Sequence, residues 1–310
     1  MATIADGNWL NQYVAPQLLA EYKNYKDDFL GVLGSVPSGA ITADGVRANK
    51  LINNVGFLVD NTAGFTAKAM AGKKVFVPWE KYDTEPTSVT DAEIKSLGFD
   101  KRNAVRVKHA ESFKIGIRDH VMWKLAPSDA TSTDMPVMRT TGANDSTGRL
   151  RLTFADLVKY LEKVKNLNLP QEDQMYMILC PEHQTDLILD TASAMYFSNK
   201  EIFFDTVTGN VKSVMGFKFF TNNGVLAYSS AGVKLAKGAA LGSTDRRASL
   251  FFYAPNTYYH LDSVKILYKP ETIDTTSADP TSEYRTQTNG IVDRIEEIGV
   301  GAIVSGIYAA

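Results

Sequence analysis

The pattern of apolar and polar positions between residues 151 and 222 predicts a compact α+β core. Thr153 followed by Asp156 is the signature of a helix start, because each residue can satisfy a free backbone N–H group near the first turn. Apolar residues then recur at the three- and four-residue spacing of one helix face. They are Phe154, Leu157, Val158, Leu161 and Val164. The pattern predicts a helix of about three turns that Pro170 ends.

A short apolar run at residues 175–180 follows this helix and predicts a strand that is buried on both faces. Pro181 closes the run. Its last residue, Cys180, is the only cysteine of the chain, so no internal disulfide can form. A cysteine on an apolar strand is expected to be a small core residue and not a nucleophile.

Two further elements complete this predicted core. A second short helix is expected at 182–189, with Leu187 and Ile188 facing inward. After a polar interval, residues 214–220 predict another strand, which the chain enters through Gly216. The order of helix, strand, helix and strand contains no recognisable catalytic residue.

Residues 1–45 begin with a segment that is dense in aromatic and apolar side chains at helical spacing. These side chains are Trp9, Leu10, Tyr13, Val14, Leu18, Leu19, Tyr22, Tyr25, Phe29 and Leu30. Glycines and a proline between positions 31 and 39 separate the segment from the rest of the chain. One interpretation is an ordinary helix that packs on its own subunit. The other is an N-terminal arm that packs on a neighbouring subunit, because so large an aromatic face must be covered.

Residues 46–95 contain two strand-like runs, at 55–59 and 75–79, within turn-rich sequence. Few of these residues could form a core of their own, so the segment is expected to be a long hairpin. The hairpin either extends over an adjacent subunit or forms one edge of the sheet of a monomeric protein.

The longest helical pattern runs from Asp100, a suitable N-cap, to Pro127, a suitable end. At ~1.5 Å per residue this helix would be ~40 Å long. Gly116 near its middle costs about 1 kcal/mol relative to alanine. One stripe is expected to be buried, formed by Ala110, Phe113, Ile117, Val121 and Leu125.

The remaining sequence alternates polar loops with short apolar runs. Residues 128–150 are polar and predict an exposed linker between two subdomains, and residues 271–283 predict a second polar loop. Strands or strand-like segments are predicted at 225–228, 250–253, 264–268, 290–298 and 302–307.

Composition and charge are those of a folded chain without a dominant charge. Hydrophobic residues make up 44% and charged residues 22%, and the formal net charge is −2. This balance excludes a global basic field for nucleic acid. No apolar run approaches the ~20 residues of a membrane helix, and the N terminus lacks the basic start and apolar core of a signal peptide. We expect a soluble protein that is neither secreted by that route nor associated with a membrane.

Motif spacing predicts no catalytic, cofactor-binding or metal site. The four histidines are His109, His120, His183 and His260, and none has the spacing of a zinc-ligand motif. They are expected at the surface or at helix caps. Neither a phosphate-binding glycine loop nor a nucleophile-elbow motif occurs. The absence of a recognisable site favours a structural protein.

The order of these elements resembles that of tailed-bacteriophage major capsid proteins, which have the HK-ninety-seven-type fold. The helix that Thr153 starts, the strand ending in Cys180-Pro181, the next helix and the run Val214-Met-Gly-Phe217 are similar to the axial domain of that family. The hairpin resembles its extended loop, and the long helix resembles the spine helix of its peripheral domain. The implied domains are an N-terminal arm at 1–45, an extended loop at 46–95, a peripheral domain with the spine helix at 96–149, an axial domain at 150–264, and return strands shared by the peripheral and axial domains at 265–310.

The resemblance implies a structural role without enzymatic activity or a cofactor. Many copies would assemble in the host bacterial cytoplasm, as pentamers and hexamers, into the icosahedral head shell of the virion. Expected partners are portal, scaffold and decoration proteins and non-specifically bound packaged DNA. The scaffold is expected to be a separate protein, because the arm begins almost at Met1. The residues expected to contact neighbouring subunits are Trp9, Tyr13, Tyr22, Phe29, Lys73, Lys74 and Trp79.

Two alternatives to a phage shell remain at this point. An encapsulin-type bacterial compartment has the same fold and encloses an enzyme in place of a genome. A monomeric α+β enzyme or binding module with an unrecognised site belongs to a different class. The size of the particle in solution separates a shell protein from a monomer, and neighbouring portal and terminase genes separate a phage from a compartment.

Overall fold

The computed structural model describes residues 29–51, 59–60, 62, 69, 72–90, 101–190, 213, 216–223 and 226–308. The α-helices of this part of the chain are α1 (Lys101–Leu125), α2 (Phe154–Lys165) and α3 (Pro181–Leu189). Its strands, in chain order, are β1 (Ile41–Thr42), β2 (Gly45–Leu51), β3 (Gly72–Pro78), β4 (Glu80–Asp83), β5 (Thr87–Thr90), β6 (Val137–Arg139), β7 (Arg149–Leu150), β8 (Met175–Leu179), β9 (Phe217–Thr221), β10 (Ala227–Tyr228), β11 (Arg246–Tyr253), β12 (Thr257–Leu261), β13 (Lys265–Lys269), β14 (Thr281–Arg294), β15 (Val300–Val304) and β16 (Gly306–Ile307).

A mixed central sheet has the strand order β6-β15-β11-β8-β9, and β10 pairs with the beginning of β11. β11 runs antiparallel to both β8 and β15. Every residue of β8 is buried, which confirms the predicted two-sided strand. Side chains alternate between the two faces of a strand. Met175 and Met177 therefore pack against α2, whereas Tyr176 and Ile178 belong to a larger core that includes α1.

The predicted capping box begins α2. The Thr153 side chain accepts the backbone N–H of Asp156, and the Asp156 side chain accepts the backbone N–H of Thr153, both at 3.2 Å. The helix ends at Lys165, well before Pro170, because the chain turns at Asn168, which adopts a left-handed φ of 52°. The predicted end at Pro170 is therefore wrong, although the predicted start is confirmed.

Two residues that were expected to face inward are exposed. Val158 is 42% exposed on α2, and Ile188 is 46% exposed on α3. Successive residues of an α-helix point about 100° apart, so Ile188 cannot share the inward direction of Leu187, which is fully buried. On α2 the core position that the pattern missed is Tyr160, which is fully buried and donates its hydroxyl hydrogen to the Pro136 carbonyl oxygen at 3.2 Å.

β9 confirms the strand expected after the second helix, although it begins later than predicted. It runs parallel to β8 and starts at Phe217, directly after Gly216. Gly216 has a φ of +86°, a conformation that glycine adopts without strain. Positions 214 and 215, the beginning of the predicted strand, lie outside the described residues.

A second sheet is built around β14, which spans fourteen residues. β12 and β13 pair with one edge of β14, and β4 and β5 pair with the other edge. α1 lies on one face of this sheet and confirms the predicted long helix. Its predicted stripe is buried without exception: Ala110, Phe113, Ile117, Val121 and Leu125. Position 100, the predicted N-cap, lies outside the described residues.

β2 and β3 form an antiparallel hairpin, with pairs running from Gly45↔Pro78 to Leu51↔Gly72. The predicted run at 75–79 falls mainly on β3. The run at 55–59 is different, because residues 52–58 lie outside the described residues and Val59 is an exposed bend. A small apolar cluster joins the base of the hairpin to β14, and its buried members are Val36, Val46, Val77 and Ile291.

Residues 128–150 are not simply the exposed linker that their polarity predicted. β6 pairs in parallel with β15, so Val137–Arg139 is an edge strand of the central sheet. β7 pairs with β16. The sequence also missed β12, whereas β10, β11, β13, β14 and β15 occur where strands were predicted, with shifted ends.

The N-terminal segment enters the described structure at Phe29, and residues 1–28 lie outside it. Phe29 is fully buried in the core that contains α1. Its ring is therefore covered by its own chain, which corrects the expectation that a neighbouring subunit covers it. None of the helices in the described ranges is both long and apolar enough to cross a membrane.

Candidate functional site

Two of the four histidines are buried, which corrects the expectation of surface or capping positions. His109 lies between the hydroxyl oxygens of Thr84 and Thr87, at 2.8 and 2.9 Å from its ring nitrogens. His183 lies between Ser249 and Ser305, at 2.7 and 2.9 Å. No group of three or more residues able to hold a metal ion occurs in the part of the chain that the structure describes.

Cys180 and His183 lie close to one another but do not form a nucleophile and base. Burial raises the pKa of the Cys180 thiol to about 11. Burial lowers the pKa of His183 to about 4, so its imidazole is neutral at neutral pH. Because the thiolate is the nucleophile, a thiol that stays protonated is inert. Cys180 is a buried free cysteine, as the sequence predicted.

A buried ionic cluster ties the segment before α2 to α3. The Arg149 guanidinium donates two hydrogen bonds to the Asp186 carboxylate, at 2.5 and 2.8 Å, and one to Asp145 at 2.8 Å. Hydrogen bonding to Asp186 holds the pKa of Arg149 above its ordinary value. Asp186 also accepts the backbone N–H of Leu152 at 2.9 Å. Because these partners are satisfied within the chain, the cluster stabilises the fold and leaves no group for chemistry.

The feature best suited to contact another molecule is the hairpin. Residues 45–78 carry five Lys or Arg and one Asp, a net charge of +4 in a chain whose total is −2. Lys73 and Lys74 are exposed on β3. Phe76, on the same strand, is also exposed, with the Arg47 guanidinium 5.4 Å from its ring centre. A basic strand with an exposed aromatic ring is suited to bind a protein surface.

The seven predicted contact residues occupy different environments. Trp9, Tyr13 and Tyr22 lie outside the described residues, and Phe29 is buried as described above. Lys73 and Lys74 project from the hairpin. Trp79 is partly buried at the base of the hairpin, where its indole N–H donates to the Thr42 carbonyl oxygen at 3.1 Å.

A hydrogen-bonded cluster lies directly after the hairpin, at Glu80. The Glu80 carboxylate accepts hydrogen bonds from His120 Nε2 at 2.6 Å, Lys124 Nζ at 2.8 Å and the Tyr82 hydroxyl at 3.0 Å. Burial raises the pKa of Glu80, but the bonds from His120, Lys124 and Tyr82 outweigh it and lower the pKa to about 2. The cluster forms no recognisable motif in the sequence. Its only local signal is the four-residue spacing that places His120 and Lys124 on one helix face.

An open groove of about 640 Å³ lies between β3 and the end of β14. One wall carries Lys73 and Lys74, and the other carries Asp293, Glu296 and Glu297. Phe76 contributes apolar surface to the same groove. The lining of the groove therefore combines basic side chains of β3 with a segment of mixed charge that also includes Arg294.

Comparison with known proteins finds a likeness in three dimensions only. No family model and no curated protein sequence matches the chain. A solved structure from Mycobacterium phage Che8 matches with a TM-score of 0.63 and 12% identity, over 89% of this chain and 90% of that chain. The capsid asymmetric unit of cyanophage Pam1 matches with a TM-score of 0.61 and 12% identity, over 86% of each chain. The acid-stable capsid of Helicobacter pylori bacteriophage KHP30 matches with a TM-score of 0.59 and 9% identity, over 91% of this chain and 92% of that chain.

These matches cover nearly the whole of both chains in each comparison. The chain therefore has the α+β fold of phage major capsid proteins, as the order of its sequence elements predicted.

Proposed function

We propose that this chain is the major capsid protein of a tailed bacteriophage and that many copies form the icosahedral head shell around the genome. The observation that carries the proposal is the match to phage capsid structures over nearly the full length of both chains. A fold can host several functions, so the proposal also depends on what the surface offers. The described surface offers a hairpin strand with exposed basic side chains, Lys73 and Lys74.

The two sheets support a division into two domains. The sheet around β14, with α1, would form the peripheral domain, and the central sheet, with α2 and α3, would form the axial domain. The chain passes from β14 to β15, from one sheet to the other, which supports return strands shared by both domains at 265–310. Because β12 pairs with β14, we place the boundary near residue 257 in preference to the predicted 264.

The hairpin is the proposed contact to the next subunit. Within the described residues its two strands pair through their backbones, and the buried apolar cluster lies at its base. Lys73, Lys74 and Phe76 are the exposed residues that we propose to touch a neighbour. We further propose that residues 1–28, including Trp9, Tyr13 and Tyr22, form an arm that adds to the same interface.

The remaining partners follow from a shell that holds a genome. Portal, scaffold and decoration proteins would contact the shell, and packaged DNA would contact it through phosphate groups, without sequence specificity. Subunits would be made and assembled in the host bacterial cytoplasm and end in the virion. An encapsulin-type compartment is the alternative with a similar architecture, but the solved structures that support the proposal come from phage particles.

Sedimentation velocity of the purified full-length chain tests the proposal. A shell protein sediments as pentamers, hexamers or closed particles, because its hairpins and arms are covered only by neighbours. A single species of one or two subunits at all protein concentrations contradicts the proposal and favours the monomeric enzyme or binding module. Nuclease-protected DNA in particles from infected cells distinguishes a phage shell from a compartment.

A further inference from the structure

We infer that Glu80 is a positioning residue that fixes the direction in which the hairpin leaves the body of the protein, and so the curvature and size of the shell. The inference rests on the proposed function, because the hairpin acts there as the contact to the next subunit. It concerns a residue at the root of the hairpin whose carboxylate is bound by side chains of its own chain.

The place of Glu80 in the chain gives it this role. β3 belongs to the hairpin, and β4, which Glu80 begins, belongs to the sheet around β14. Only Trp79 separates the two strands. The pairing of β4 with β14 ends at Glu80↔Gly290, so the chain departs from the sheet at this residue. A change in the position of Glu80 would therefore change the direction of the whole hairpin.

Two side chains from α1 anchor Glu80. His120 and Lys124 are four residues apart and lie on the same face of the helix, and each binds one carboxylate oxygen. A carboxylate that two donors hold at separate oxygens is restrained in rotation as well as in position. The hairpin root is thus clamped to the C-terminal third of the long helix.

The anchors are themselves held in place. The His120 ring packs edge-on against Tyr82, with centroids 5.3 Å apart, and stacks on Trp123 at 6.4 Å. The Trp123 indole N–H donates to the Leu235 carbonyl oxygen at 2.8 Å. Lys234 Nζ lies 4.4 Å from the centre of the Trp123 ring. The clamp therefore connects the hairpin root to a segment that is rigidly packed on α1.

Charge makes the carboxylate of Glu80 hard to replace. Lys124 binds the carboxylate directly. Lys237 is attracted through space by both Asp119 and Glu80. Lys234 lies close enough to Lys124 for the two positive charges to repel. Replacing Glu80 by a neutral residue removes the negative charge that attracts Lys124 and Lys237, so the attraction between the hairpin root and α1 is weakened.

The test compares Glu80→Gln with Glu283→Gln. Glu283 binds Lys269 at 3.1 Å at the far end of the same sheet, so its replacement also removes an ion pair but leaves the hairpin root intact. Hydrogen exchange of residues 72–83 measures the clamp in subunits, and cryo-electron microscopy measures the diameters of assembled shells. We expect Glu80→Gln to speed exchange at the hairpin root by at least about tenfold, since a hydrogen bond to a charged group is lost.

The same variant should assemble into shells of altered or mixed diameter, while Glu283→Gln and the unmodified chain give one common diameter. A purely stabilising role for Glu80 would lower the unfolding temperature and leave the diameter unchanged. Shells of the unmodified diameter from Glu80→Gln, or unchanged exchange at residues 72–83, overturn the inference.

Two variants on α1 test the same contacts if Glu80→Gln does not fold. Lys124→Met removes one anchor and should act like Glu80→Gln. His120→Gln keeps a neutral donor, so it should retain most of the exchange protection and the common shell diameter. Equal effects of these two variants count against the clamp. If the unmodified chain forms no shells, the proposed function fails, and the exchange measurement alone then decides whether Glu80 sets the hairpin.

Discussion

The side chain of His183 on α3 is fully buried and lies within hydrogen-bonding distance of the hydroxyl groups of Ser249 and Ser305. Burial lowers its pKa to about 4, helped by Arg149 and opposed by Asp186 and, more weakly, by Asp156. The unfolded chain therefore binds the proton more readily than the folded chain between about pH 6.5 and pH 4, and stability falls as the pH falls through this window.

His183→Gln should remove this part of the pH dependence. We expect the unmodified subunit to lose about 2 kcal/mol more of its free energy of unfolding between about pH 7 and about pH 5 than the variant loses. Urea unfolding of dissociated subunits at several pH values measures the difference. The same pH slope in both proteins would show that His183 carries a proton in the folded state.

Two glycines give opposite predictions at the same scale. A Cβ atom at Gly116, within α1, would meet no other atom within 4 Å, so Gly116→Ala should raise the stability by about 1 kcal/mol through helix propensity.

A Cβ atom at Gly301 would lie 2.2 Å from the Tyr160 hydroxyl oxygen and 2.5 Å from the Pro136 carbonyl oxygen. Gly301→Ala should therefore destabilise the central sheet. Thermal unfolding of the two variants checks the pair, and a loss of stability in Gly116→Ala contradicts the packing described for α1.

At the scale of whole elements, β8 is the strand on which both faces of the central sheet depend. Ile178→Asp places a charge where no solvent reaches, so we expect the chain not to fold into a soluble protein. Val158→Asp on α2 is the matched control, because Val158 is also a β-branched apolar residue that was predicted to face the core but is exposed. Soluble expression and circular dichroism separate the two. A folded Ile178→Asp variant would mean that β8 is not a core strand.

Elements with a strong local pattern were predictable from sequence. The capping box at Thr153 and Asp156 and the stripe from Ala110 to Leu125 arise from residues a few positions apart, and the structure has them. β6 was not predictable, because Val137–Arg139 is three residues long and becomes a strand only by pairing with β15, far away in the chain. When the surrounding sequence is polar, so short a strand gives no hydrophobic pattern from which it could be predicted.

The Glu80 cluster was unpredictable for the same reason. The residues that bind its carboxylate, His120 and Lys124, lie about forty positions away and come together only through the packing of α1 on the second sheet. The sequence indicates contact residues by a different criterion, which is aromatic or basic character suited to an exposed surface. That criterion selects Lys73 and Lys74, which are exposed on β3, and also Phe29, which is buried, because an aromatic ring is equally suited to the core.

At the scale of the whole molecule, the described residues form two large sheets, a long helix and a hairpin. The hairpin carries a net positive charge in a chain that is slightly negative overall, so contacts between subunits would be partly electrostatic and weakened by salt. Under the proposed function, other copies would cover the exposed residues of the hairpin, among them Lys73, Lys74 and Phe76.

Cryo-electron microscopy of the purified full-length chain, kept at low salt and at high concentration, tests the central claim most directly. We predict closed particles with icosahedral symmetry, in which this fold is repeated around five-fold and six-fold centres and each hairpin lies on an adjacent copy. Fields that contain only separate subunits, or small closed oligomers whose hairpins contact no other copy, would contradict the assignment of this chain to a shell.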